Sequence, residues 1–135
     1  MGYRKKYLVD TSVIIALFRK NEDAKTLLDS LDSDEVYVCD VTVLEILAGC
    51  FTVERREQAM KSIAAFGLLK NSEAISEQAI QLMKRHCIQR PGQPHLFLPD
   101  CLIASFALVH KMELVTFNKK DFEFIQGIAL HPMSK

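Results

Sequence analysis

Five short apolar runs, separated by segments of helical periodicity, limit what this chain can fold into more than any other feature. They are Tyr7-Leu8-Val9, Glu35 to Cys39, Phe66 to Leu69, Glu113 to Thr116 and Gly127 to Leu130. Each has strand length and is too short for a buried helix. Between them the apolar spacing changes. Ala24, Leu27, Leu28 and Leu31 share one face of a helix over 22–31, and Ala74, Ile75, Ala79, Ile80, Leu82 and Met83 do so over 73–86. Further helices are expected over 13–18, opened by Thr11-Ser12, and over 41–50 with Asp40 as cap. Another should run from Thr52 or Val53 to Ile63 or Ala64, one from Asp100 through His110, and a short one over 121–125. Strands alternating with helices pair in parallel through right-handed crossovers. The expected fold is α/β: a three-layer α/β/α sandwich around a central, mostly parallel sheet of about five strands.

The chain of 135 residues is expected to form one domain over 1–135. With 49% hydrophobic and 25% charged residues it can fill an ordinary core, which excludes a disordered chain. No apolar run is long enough to cross a bilayer, so no membrane association is expected. The basic start, Arg4-Lys5-Lys6, precedes an apolar stretch too short for a signal peptide, so the expected location is cytoplasmic. Seventeen basic and seventeen acidic residues balance, so any phosphate-binding surface must be local. Arg55-Arg56, Lys84-Arg85 with Arg90, and Lys119-Lys120 are further local clusters, and each also reads as a solvated face. Cys39, Cys50, Cys87 and Cys101 form no CxxC pair, which excludes the usual zinc spacing, and a disulfide framework is not expected. Arg90-Pro91-Gly92-Gln93-Pro94 is a loop signal too short to link domains.

The acids carry the functional signal. Asp10 closes the first strand, at the carboxyl edge where open parallel sheets bind ligands near a reversal of strand order. It reads either as a helix N-cap or as a ligand. Glu45 lies within Val41-Thr42-Val43-Leu44-Glu45-Ile46-Leu47-Ala48, in a helix expected to be largely buried. A buried carboxylate needs a partner or a metal; the alternative is a narrow exposed stripe. Asp100 opens the apolar helix that begins at Cys101 and also reads as a cap. Gathered at one edge, three carboxylates repel unless a cation lies between them, and all-oxygen donors suit Mg²⁺ or Mn²⁺. Such a centre fits phosphodiester hydrolysis, in which a divalent cation activates water and stabilises charge on phosphate oxygens.

Four segments together resemble the PIN-domain nucleases, most closely the VapC-type toxins of toxin–antitoxin pairs. They are Tyr-Leu-Val-Asp10-Thr11-Ser12-Val-Ile-Ile, Val-Thr-Val-Leu-Glu45-Ile-Leu-Ala-Gly49, Leu-Pro-Asp100-Cys-Leu-Ile-Ala-Ser and Leu-Val-Thr116-Phe-Asn118-Lys-Lys-Asp121-Phe122. They follow one another in order over roughly residues 7 to 130, nearly the whole chain. The resemblance implies a PIN-like fold and an Mg²⁺-dependent endoribonuclease, with Mn²⁺ as the alternative ion. It makes Asp10, Glu45 and Asp100 the metal-binding acids, with Ser12 and Thr116 as supporting hydroxyls. A fourth acidic or amide residue is implied after the strand ending in Thr116. Asn118 takes the first such position and Asp121 the second. The implied partners are an RNA substrate, a small antitoxin protein and a second copy of the chain in a homodimer. The alternatives are a PIN nuclease of RNA maturation or decay and a catalytically silent PIN-fold binding module. A phosphatase of the DxD type is disfavoured, because Asp10-Thr11-Ser12 lacks the second Asp.

Overall fold

The computed structural model describes residues 5–31, 35–86 and 97–135. Cys87, His95 and the loop over 90–94 lie outside the described residues. All five expected strands form: β1 (Tyr7–Val9), β2 (Val36–Cys39), β3 (Gly67–Leu69), β4 (Glu113–Val115) and β5 (Ala129–Leu130). They make one parallel sheet in the order β3-β2-β1-β4-β5. The chain therefore builds outward from β1 to β3 on one side, then returns to add β4 and β5 on the other. The order reverses between β1 and β4, and their carboxyl ends flank the crevice that such a reversal leaves.

Six α-helices connect the strands among the described residues: α1 (Thr11–Phe18), α2 (Glu22–Asp29), α3 (Asp40–Ala48), α4 (Val53–Ile63), α5 (Glu73–His86) and α6 (Leu98–His110). Strand alternation divides the core between the two faces of the sheet. Val9, Val38 and Val115 face one layer, with Val13, Ile14, Leu27, Ala59 and Ile63 from α1, α2 and α4. Leu8, Cys39 and Leu114 face the other, with Ile75 and Leu82 from α5 and Phe106 from α6. Each fully buried Leu or Phe side chain contributes about 1.5–3 kcal/mol relative to exposure. Three side-chain caps set helix starts: Asn21 accepts from the Ala24 amide at 3.0 Å, Thr52 from the Arg55 amide at 3.1 Å and Ser72 from the Ile75 amide at 3.3 Å.

Three boundaries differ from the sequence reading. Asp40 is the first residue of α3 rather than its cap, which is Cys39. The Asp40 carboxylate instead accepts from the Asn71 amide at 3.0 Å, tying the end of β2 to the segment after β3. Helix α6 starts at Leu98, because Pro99 fits the first helical turn, where its missing N–H costs nothing. Asp100 is thus inside the first turn and is not a cap. In place of a helix over 121–125, a single 3₁₀ turn covers Lys119–Asp121. Phe122 and Ile125 are buried in the core, and turn hydrogen bonds such as Ile125 N–H to the Phe122 carbonyl at 2.9 Å continue the stretch without a regular helix.

Gly67 faces Tyr37 across the β2–β3 pair, and a Cβ there would lie 2.4 Å from the Tyr37 ring. Gly67→Ala should therefore destabilise the fold by about 1–3 kcal/mol, the usual range for overpacking. Urea denaturation measures this directly, and an unchanged midpoint would show that the Tyr37 ring moves aside freely.

His86 is buried at the end of α5, edge-on to Phe124 with ring centroids 5.2 Å apart. Burial pushes its pKa below the ordinary 6.5, and neighbouring Arg85 adds to this. The unfolded chain then takes the proton first, so this group's contribution to stability falls as pH drops through 6.5. His86→Phe keeps a ring and should lose that part of the pH slope between pH 7.5 and 5.5. An identical slope in both proteins would mean that His86 titrates as it does in the unfolded chain.

Candidate active site at the carboxyl edge of the sheet

Asp10 follows β1 in extended backbone, and its carbonyl accepts from the Val13 amide at 3.0 Å to start α1. Its amide is held by the Val115 carbonyl at 2.9 Å, which ties the ends of β1 and β4 together. The side chain makes no hydrogen bond of capping geometry to α1. Instead Oδ2 accepts from the Ser12 hydroxyl at 2.6 Å and the Thr116 hydroxyl at 2.9 Å. Asp10 is 3% exposed, and burial pushes its pKa up, partly offset by those two hydroxyls. The Asp10 carboxylate is thus removed from water and fixed by two donors, neither of them a backbone N–H of the helix end.

The two hydroxyls also shape the adjoining loop. Ser12 Oγ accepts from the Phe117 amide at 3.1 Å, and Thr116 Oγ1 accepts from the Asn118 amide at 2.9 Å. The backbone after β4 is thereby drawn over the end of β1. Asn118 stands at this corner with an exposed side chain, while Asp121 is half-buried at the end of the 3₁₀ turn. Ser134 supports the corner from behind: its hydroxyl accepts from the Thr116 amide at 3.1 Å and donates to the Leu114 carbonyl at 3.3 Å.

Glu45 corrects the sequence reading. Helix α3 buries only Thr42 and Ile46, and its Leu44 is 66% exposed, so the helix is not the largely buried element expected. Glu45 is on the open side. It is nevertheless held: Thr11 Oγ1 donates to Glu45 Oε1 at 2.7 Å, and the Thr11 and Thr42 hydroxyls are 3.0 Å apart. Partial burial pushes the Glu45 pKa up and the charge of Asp10 raises it further, while the Thr11 hydroxyl lowers it. Asp10 and Glu45 are therefore close enough to repel. Sequence reasoning missed Thr11, Thr42 and Ser134, and only the position of Thr11 beside Asp10 hinted at a role.

Asp100 is half-buried in the first turn of α6. Helix α6 ends at His110, close before the amino end of β4, so a course antiparallel to that strand directs its first turn toward the carboxyl edge. Among the described residues, no three His, Cys, Asp or Glu side chains already form a metal cage. The donor chemistry still fits a hard divalent cation: oxygen ligands only, with two carboxylates whose mutual repulsion and desolvation a cation would offset. A groove of about 650 Å³ reaches Glu45 between α1, α3 and α4, with Arg19, Lys20 and Arg55 on its walls and Ile15 and Phe18 beside them. Positive charge is thus concentrated next to the carboxylates although the chain is neutral overall.

Known proteins share this architecture. The chain is 28% identical over 131 residues to Ribonuclease VapC1 of Rickettsia felis, covering 94% of this chain and 96% of that protein. It is 25% identical over 133 residues to Ribonuclease VapC1 of Haemophilus influenzae, covering 96% and 98%. A toxin–antitoxin complex from Klebsiella pneumoniae matches with a TM-score of 0.76 and 26% identity, over 92% of this chain and 96% of that one. The PIN domain family model matches residues 7–126, nearly the whole span of the sheet and its helices, and the chain belongs to the PIN-domain family.

Proposed function

We propose that this protein is the ribonuclease toxin of a toxin–antitoxin pair, hydrolysing RNA phosphodiesters in the cytoplasm with a divalent cation, Mg²⁺ in preference to Mn²⁺. The observation that carries this reading is Asp10: a carboxylate buried at the reversal of strand order, aimed by two hydroxyls, with Glu45 beside it. Asp10, Glu45 and Asp100 would hold the cation. When bound, it supplies activation of water and neutralisation of charge on the phosphate oxygens. The chain's own groups do the rest. Ser12 and Thr116 keep Asp10 in one orientation, and Thr11 keeps Glu45 turned toward it. Arg19, Lys20 and Arg55 attract the RNA backbone along the groove. Asn118, whose amide is bonded to Thr116, is the better fourth residue; Asp121, at the far end of the 3₁₀ turn, is the second choice.

The names of the relatives support the ribonuclease reading, and the Klebsiella pneumoniae complex supports an antitoxin partner. We also propose a homodimer, which light scattering would test. No helix among the described residues is long and apolar enough to cross a membrane. The function is tested by incubating the protein with a mixed RNA pool and Mg²⁺, with and without EDTA, and mapping the cut ends. Cleavage at defined positions, abolished by EDTA, is the expected result. An intact pool with Mg²⁺ and with Mn²⁺ would favour a silent binding module, and cleavage that persists in EDTA would remove the cation from the mechanism.

A further inference from the structure

Glu45 projects from the open side of α3, and its carboxylate sits at the end of three rotatable bonds. Left alone, such a side chain samples many rotamers. Thr11, at the start of α1, holds it at 2.7 Å. Thr42 lies one turn before Glu45 on the same helix face, fully buried, with its hydroxyl 3.0 Å from that of Thr11. A hydroxyl has one hydrogen. The carboxylate end has none to give when ionised, so the Thr11 hydrogen goes to Glu45. Thr42 Oγ1 is the second acceptor within reach of that hydrogen, so the Thr11 hydroxyl is held between Thr42 at 3.0 Å and Glu45 at 2.7 Å. Behind Thr42, the Cys39 thiol is 3.7 Å from its oxygen. Either of these two atoms can be the donor. The groups thus form a chain of polar contacts that joins Cys39, Thr42, Thr11 and Glu45 and links β2, α3 and α1.

We infer that Thr42 is a positioning residue that fixes the Glu45 carboxylate at the site through the Thr11 hydroxyl. Thr42 does not line the groove. Its oxygen holds Thr11 turned toward α3, away from the other staggered positions that the Thr11 hydroxyl would otherwise sample. That bond ties the exposed Glu45 to the helix that follows the buried Asp10. The role of the held carboxylate in binding a cation rests on the function proposed above; the positioning itself does not.

The test uses Thr42→Val and Thr11→Val, which keep the shape and remove the hydroxyl, with Thr42→Ser and Thr11→Ser as conservative counterparts. In the metal-free protein, the side-chain carboxyl ¹³C resonance of Glu45, assigned with Glu45→Gln, should shift in both valine variants and return in both serine variants. Titration with Mn²⁺ alone by calorimetry should show affinity about tenfold weaker in Thr42→Val, in the range typical of losing a partner behind a ligand, and restored in Thr42→Ser. Adding Thr42→Val to Thr11→Val should weaken binding no further, because the chain is already cut. A Glu45 resonance unmoved by Thr42→Val would overturn the positioning role, as would a serine variant that behaves like the valine one. Wild-type protein that takes up no Mn²⁺ while its Glu45 resonance responds as described would overturn the metal-site reading and leave the positioning role standing.

Discussion

Asp10→Asn is expected to reduce RNA cleavage by more than about 100-fold, beyond the range seen for residues that only support a ligand, while the melting temperature stays the same or rises. Asparagine has the size of aspartate, and its amide oxygen can still accept from Ser12 and Thr116, so the packing at the crevice survives. The negative charge is what disappears. In the native protein that charge is carried by a residue 3% exposed, and burial already disfavours its ionised form. Removing it relieves a desolvation cost and the repulsion with Glu45. Catalytic sites commonly hold such unfavourable groups, and neutralising them trades activity for stability. Circular dichroism melts alongside a cleavage assay decide the matter. Full activity in the variant would sink the proposed site; a collapsed melt would mean that Asp10 serves mainly to hold the fold.

Thr116→Val should act on both properties at once. Thr116 is fully buried, and its hydroxyl makes two bonds that valine cannot: one to the Asp10 carboxylate and one from the Asn118 amide. Losing a hydrogen bond to a charged group costs about 1.5–3 kcal/mol, a large share of the roughly 5–15 kcal/mol that stabilises an ordinary protein. Cleavage should fall by about 10–100-fold, because Asp10 loses one of its two orienting donors. Thr116→Ser retains the hydroxyl and should recover most of the activity. Urea denaturation with an unchanged slope would confirm a stability effect rather than a change in the unfolded state. Wild-type stability in the valine variant would mean that solvent or Ser12 alone satisfies Asp10. The opposite signs of the stability change expected for Asp10→Asn and Thr116→Val separate a charge that burdens the fold from a donor that supports it.

The strands were legible because each joins a short apolar run to an abrupt polar or acidic stop, as at Val9-Asp10. The start of α6 was less so. Asp100 and Pro99 are both residues that open helices, and the helix begins one residue before Pro99, at Leu98. The helix expected over 121–125 failed because Phe122 and Ile125 are drawn into the core, and core contact outweighs local helical preference in so short a stretch. At Glu45 the reason for singling the residue out did not hold. Its apolar flanks suggested burial, whereas α3 leaves it open beside the groove and a threonine from another helix holds it.

The sequence by itself determined the alternation of strands and helices, and with it the parallel sheet and the placing of Asp10 at a strand's carboxyl end. Those properties depend on neighbours a few residues apart. Tertiary structure alone decided that β4 returns to lie beside β1, and so that Thr116 meets Asp10 across the reversal of strand order. It also decided that Thr11, Thr42 and Glu45 meet between two helices. Those hydrogen bonds join residues 31 to 106 positions apart. No local periodicity encodes such contacts, because they exist only once the order of the sheet has brought the two ends of each bond to the same edge.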